Sequence, residues 1–102
     1  MIVTIEPGYY EDNNFGIRIE NCVLTTKKST KYQHLNINFC QFEPLTYVPI
    51  QKELIDKNLL SQDELEWLND YHEKCLNYIG PLLKERNKND VYDWLIEQTK
   101  RL

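Results

Sequence analysis

Ile5-Glu6-Pro7-Gly8-Tyr9-Tyr10 and Phe15-Gly16-Ile17-Arg18-Ile19-Glu20-Asn21 flank a short polar stretch, Glu11-Asp12-Asn13-Asn14. Met1 to Ile5 is rich in β-formers and stops at Pro7-Gly8, a turn pair, so a strand is predicted there. The four polar residues have loop chemistry. Ile17 to Thr26 alternates again, with Ile17 and Ile19 on one face and Arg18 and Glu20 on the other, which predicts a second strand. The two strands make a hairpin with a long loop. Symmetry about Asn13 pairs each residue before it with the one equally far beyond it, so Glu6 is expected opposite Glu20. Two carboxylates opposed in a sheet repel each other. A divalent cation between them reverses that sign, because hard ions take carboxylate oxygens; Arg18, on the same face, is a second neutraliser. Spacing alone favours the plainer reading, two solvated surface glutamates.

Beyond this hairpin, Lys27 to Gln33 is polar and reads as a surface loop. Leu35, Ile37 and Phe39 alternate with Asn36, Asn38 and Cys40, which predicts a third strand. Leu45 to Ile50 reads as a fourth, confined to an edge or a short segment by Pro44 and Pro49. The period changes at Ser61. Ser61 and Glu64 form a capping box, and Leu65, Leu68, His72, Cys75 and Ile79 recur at helical spacing. Gly80-Pro81 is expected to end or kink that helix. Asp90 is expected to cap a last helix that buries Val91, Trp94 and Leu95. Strands followed by helices define an α+β class.

One hundred and two residues make one small domain or a piece of a larger one. A chain this short buries only about two thirds of its unfolded surface, so its stability is modest without a partner. Twelve basic residues against sixteen acidic ones leave a net charge of −4. With no basic run longer than Lys27-Lys28, a nucleic-acid partner has little electrostatic support. No apolar stretch approaches the roughly 20 residues a bilayer span needs, and the N-terminus lacks a signal-peptide pattern. Cys22, Cys40 and Cys75 are odd in number and widely spaced, which suits a reducing compartment. A cytoplasmic location without membrane association is expected.

Other candidates carry less chemistry. Each cysteine lacks a base in sequence context and is expected to be buried and inert. His34 is expected at the surface, and His72 in the core on the helix stripe. Tyr9, Tyr10 and Trp67 are read as packing residues rather than a substrate wall. Glu64, Glu66 and Asp70 are read as a solvated helix face.

The two motifs around Glu6 and Glu20 resemble the last two metal-ligand motifs of the pita-bread metallopeptidases. Phe42-Glu43-Pro44-Leu45-Thr46-Tyr47-Val48-Pro49-Ile50 and Trp67-Leu68-Asn69-Asp70-Tyr71-His72 resemble the C-terminal extension of cytosolic-type aminopeptidase P, and the likeness covers essentially the whole chain. It implies a division into residues 1–34, the end of the pita-bread catalytic domain, and residues 35–102, the extension. It implies an enzyme that hydrolyses the first peptide bond of substrates with proline second, using two metal ions, usually manganese. In that family five residues hold the ions: two aspartates and a histidine, then two glutamates. By motif match, Glu6 is similar to the glutamate that binds one ion and helps move a proton at the reacting centre. Glu20 is similar to the glutamate that bridges both ions, and Arg18 to an arginine that orients the carboxylates. The aspartates, the metal-binding histidine and the substrate-side histidines have no counterpart here, so the chain alone is expected to be inactive and to need the N-terminal part of the enzyme. Family resemblance also implies a homodimer. The alternative is a non-catalytic interaction module derived from a pita-bread domain.

Overall fold

Pro7 splits the hairpin that Asn13 centres. The computed structural model describes residues 1–32, 34–35 and 37–102. They form two compact units, Met1–Thr46 and Tyr47–Leu102. In the first, β1 (Ile2–Ile5) pairs antiparallel with β4 (Asn21–Lys28), and β2 (Gly8–Tyr10) pairs with β3 (Gly16–Arg18). Ile5 faces Asn21 and Gly8 faces Arg18, so one register, the one expected from symmetry about Asn13, runs through both ladders. Between them, Ile19 N–H donates to the Pro7 carbonyl at 3.1 Å. Proline has no N–H to return, so the ladder is interrupted there. The expected long second strand is therefore two strands with a gap at Ile19-Glu20.

At the tip, Asn13 adopts the left-handed conformation (φ 58°) that asparagine tolerates better than most residues. Glu11 N–H donates to the Phe15 carbonyl at 2.8 Å, and the Glu11 carboxylate accepts from Tyr9 and from Asn14 at 2.6 Å each. β4 is the central strand of the larger sheet, with β1 and β5 (Phe39–Pro44) on its edges, and its Val23 is buried.

The expected third strand begins later than its alternation suggested. Leu35 has φ 50°, and Ile37 N–H donates to the His34 carbonyl at 3.0 Å, so a turn occupies part of that stretch. Gln33 and Asn36, which the loop and strand expectations include, lie outside the described residues.

The stretch expected as a fourth strand, Leu45 to Ile50, is no strand: Leu45 N–H still donates to the Cys22 carbonyl of β4 at 2.8 Å, and the rest leaves the sheet. In the second unit, Val48 and Ile50 find their backbone partners on helix side chains instead. The Tyr71 hydroxyl donates to the Val48 carbonyl at 2.9 Å and accepts from Val48 N–H at 3.4 Å, and His72 Nε2 accepts from Ile50 N–H at 3.1 Å. Residues 48 and 50 offer their polar groups at strand spacing, which is why the segment reads as β. Two 3₁₀ turns, Lys52–Leu54 and Lys57–Leu59, lead to α1 (Gln62–Glu85).

The capping box at the start of α1 is present in both directions: Glu64 N–H donates to Ser61 Oγ, and Ser61 N–H to Glu64 Oε2. Leu68, His72 and Cys75 from the expected stripe are buried, joined by Asn69 and Tyr71. Asn69 Oδ1 accepts Leu102 N–H at 2.8 Å, which satisfies a buried amide and ties down the chain end. Pro81 does not end the helix, which continues to Glu85.

The last helix, α2 (Asn89–Gln98), has Lys88 rather than Asp90 at its N-cap. Of its expected buried face only Leu95 is buried; Val91 and Trp94 are exposed, and Thr99 just beyond the helix is buried. Gly80 explains the shift of face: a Cβ there would stand 3.1 Å from the Tyr92 ring, so α2 presents Tyr92 and Leu95, three residues apart, to α1. Among the described residues no helix is long and apolar enough to cross a membrane.

Candidate metal centre

Alternation and register together put Thr4, Glu6, Gly8 and Tyr10 on one face of the hairpin with Gly16, Arg18 and Cys22 from the returning strand. Glu20 continues that series. The pairs on either side of it, Ile5 with Asn21 and Pro7 with Ile19, bring it opposite Glu6 at the break between the ladders.

Arg18 organises this face. Its Nη1 donates to Glu6 Oε2 at 2.8 Å, and its Nε donates to the Tyr10 hydroxyl at 2.7 Å. The Tyr10 ring lies over two glycines: a Cβ on Gly8 would come within 2.5 Å of the Tyr10 hydroxyl, and one on Gly16 within 2.6 Å of the ring. The glycines thus leave the space the phenol needs to reach Arg18. The hydrogen bond to Tyr10 is the main influence raising the Arg18 pKa above the ordinary arginine value, with smaller Coulombic help from Glu6 and Glu20. The Arg18 and Glu6 side chains are each almost half exposed, so the pair orients groups more than it stabilises the fold.

The structure brings Glu6, Arg18 and Glu20 to one place. His34 is exposed, and His72 is fully buried in the second unit. Tyr10, expected to be packing, has an exposed ring and a hydroxyl bonded to Arg18. The signal that could have found it is parity, since Tyr10 shares the even-numbered face of Glu6 while Tyr9 lies on the other. Tyr9 is also exposed; it donates to Glu11 and its ring leans on Phe15, 5.9 Å away. Trp67 is exposed but stacks on Tyr71 with centroids 5.5 Å apart. Of the cysteines only Cys75 is buried. Cys40, opposite Lys27 on an edge strand, is exposed, and Cys22 is intermediate.

Two carboxylates opposed on one face, with a guanidinium beside them, suit a hard divalent ion. They fit part of such a centre. Among the described residues no group of three or more His, Cys, Asp or Glu is gathered for a metal.

Residues 1–27 match metallopeptidase family M24, and residues 38–102 match the C-terminal region of peptidase M24. The chain belongs to this metallopeptidase family and corresponds in sequence to the C-terminal part of its aminopeptidase P members. It is 45% identical over 101 residues to the Xaa-Pro aminopeptidase app-1 of Caenorhabditis elegans, covering 97% of this chain and 16% of that protein. It is 43% identical over 98 residues to protein pid-5 of the same organism, covering 92% and 9%. Among solved structures it is similar to the C. elegans X-prolyl aminopeptidase, a cytosolic enzyme with a dinuclear active site: TM-score 0.91, 42% identity, 99% of this chain and 16% of the other. The fold is the C-terminal portion of a pita-bread fold. The chain spans less than a fifth of the length of these relatives.

Proposed function

We propose that this chain is the C-terminal portion of a dimetal aminopeptidase that hydrolyses the N-terminal Xaa-Pro peptide bond. In this reading Glu6 and Glu20 are two of five metal ligands, Arg18 orients them, the ions are manganese, and the enzyme is cytoplasmic. Residues 1–34 close the catalytic domain and residues 35–102 form its extension. The observation that carries the reading is the meeting of Glu6, Arg18 and Glu20 on one face, in a chain whose solved relative has a dinuclear site.

The chemistry a pair of divalent ions supplies when bound is polarisation of the scissile carbonyl and activation of water. The chain's own part is narrower. Glu6 offers a carboxylate already aligned by Arg18 and able to take a proton at the reacting centre. Tyr10 holds Arg18 so that the guanidinium cannot swing away.

Two carboxylates cannot hold two ions in catalytic geometry, so the 102-residue chain alone should release no residue from an Xaa-Pro-Xaa peptide, with or without manganese. Adding the upstream portion of the family domain, which carries the other ligands, should restore turnover. Hydrolysis by the pure chain would refute the fragment reading, and a complemented, folded assembly without activity would refute the aminopeptidase reading.

The same proposal includes a homodimer. β1 and β5 present edge backbone groups, and Ile5, Ile17, Ile19 and Phe42 are exposed apolar side chains. Size exclusion with light scattering should give a mass above that of a monomer at micromolar concentration. A monomer mass across a tenfold dilution series would remove the dimer.

A further inference from the structure

Glu6 is held from two sides. Arg18 Nη1 donates to Oε2 at 2.8 Å, and the Thr4 hydroxyl donates to Oε1 at 2.5 Å. We infer that Thr4 is a positioning residue for the metal-binding carboxylate, an inference that rests on the reading of Glu6 as a ligand.

The sequence makes this arrangement natural. Thr4 and Glu6 are two apart in an extended segment, so their side chains rise from the same face. A β-branched residue has a restricted χ1, which helps the Thr4 hydroxyl keep its aim. Thr4 lies opposite Cys22 in the β1–β4 ladder. A thiol is only a weak donor, so Cys22 is no substitute for the hydroxyl.

A free glutamate has three side-chain torsions to lose when it ligates a metal. Fixing both oxygens beforehand removes most of that cost and sets the carboxylate plane. Each oxygen has two acceptor sites, so one bond to Thr4 or Arg18 leaves room for an ion. The two donors also differ in kind. Arg18 brings a positive charge that competes with a cation for Glu6, whereas Thr4 orients the carboxylate without charge. Thr4 therefore supports affinity for the metal where Arg18 alone would partly oppose it.

The test uses the complete enzyme, either one longer polypeptide or this chain complemented by the upstream portion of the domain. Manganese is titrated by calorimetry and metal content is read by plasma emission for Thr4→Val, Thr4→Ser and Glu6→Gln. Thr4→Val keeps shape and deletes the hydroxyl; it should weaken binding of one ion about 10–100-fold, the usual cost of losing a group that orients a ligand. Thr4→Ser restores the donor and should recover most of that loss, which a purely structural role for the threonine would not show. If Glu6→Gln loses an ion while Thr4→Val binds manganese like the parent, the inference about Thr4 fails and the ligand reading stands. Equal weakening by Thr4→Val and Thr4→Ser also overturns the role of the hydroxyl. If Glu6→Gln itself retains both ions at parental affinity, the ligand reading fails and takes the inference with it.

Discussion

Glu20→Gln in the complete enzyme should lower turnover more than about a hundredfold and reduce metal content with it, whereas Arg18→Lys should cost about 10–100-fold and leave metal bound. The difference follows from what each side chain touches. On the proposed assignment Glu20 would be a ligand shared by both ions, so its neutral isostere would loosen the whole centre. Arg18 touches Glu6 and Tyr10 rather than an ion, through Nη1 and Nε of one planar fork. Lysine keeps the charge but is a point donor on a flexible stem, so it loses the simultaneous pair of contacts. Plasma emission spectroscopy and kcat/KM on an Xaa-Pro peptide, measured on the same preparations, check both expectations. A Glu20→Gln enzyme that keeps two ions and near-parental turnover would put Glu20 outside the ligand set.

Much of this face was legible because β-sheet geometry is periodic and proline is informative. Symmetry about Asn13 placed Glu6 opposite Glu20, and the observed pairs on either side carry that register across the break. The break itself was less visible. Pro7 signalled a turn, but only its unreturned hydrogen bond with Ile19 explains why one expected strand becomes two. The capping box at Ser61 was legible because both partners sit three residues apart in sequence.

Long-range choices were not legible. The segment from Leu45 to Ile50 has β character, yet the backbone partners of Val48 and Ile50 are Tyr71 and His72, more than twenty residues away. The buried face of α2 was misread because it depends on the space left by Gly80, which belongs to another helix. Tyr10 was misread for a related reason. Its partner Arg18 and the glycines beneath it come from both sides of the hairpin, so only the closed register shows that its hydroxyl has a polar role.

His72 should make the stability of the isolated chain depend on pH well above the range where carboxylates titrate. Its side chain is 0% exposed, its Nε2 accepts Ile50 N–H at 3.1 Å, and its Nδ1 is buried without a partner. An imidazole accepting at Nε2 must be neutral, with its proton on Nδ1. Burial lowers its pKa below the ordinary value of 6.5, and Lys52 from the first 3₁₀ turn opposes a second positive charge nearby. On its own helix the immediate neighbours are Tyr71, whose ring is 6.1 Å away, and Cys75. The unfolded chain takes the proton at about pH 6.5 and the folded chain does not. Above that pH the contribution of His72 is fully present. As pH falls below it, stability declines by up to about 1.4 kcal/mol per pH unit, levelling off only when the folded imidazole is itself protonated. Glu64 and Glu97, held below the carboxylate range by Ser61 and Lys100, add their own losses at lower pH. His72→Leu removes the titration and leaves Ile50 N–H without its acceptor, at a cost of about 1–3 kcal/mol near neutrality. Urea unfolding at pH 7.5, 6.5 and 5.5 should therefore show a large gap between parent and variant that narrows with acid. Parallel pH profiles for the two would show that His72 is not the neutral latch on residues 48–50, because a group that titrates alike in both states contributes no slope.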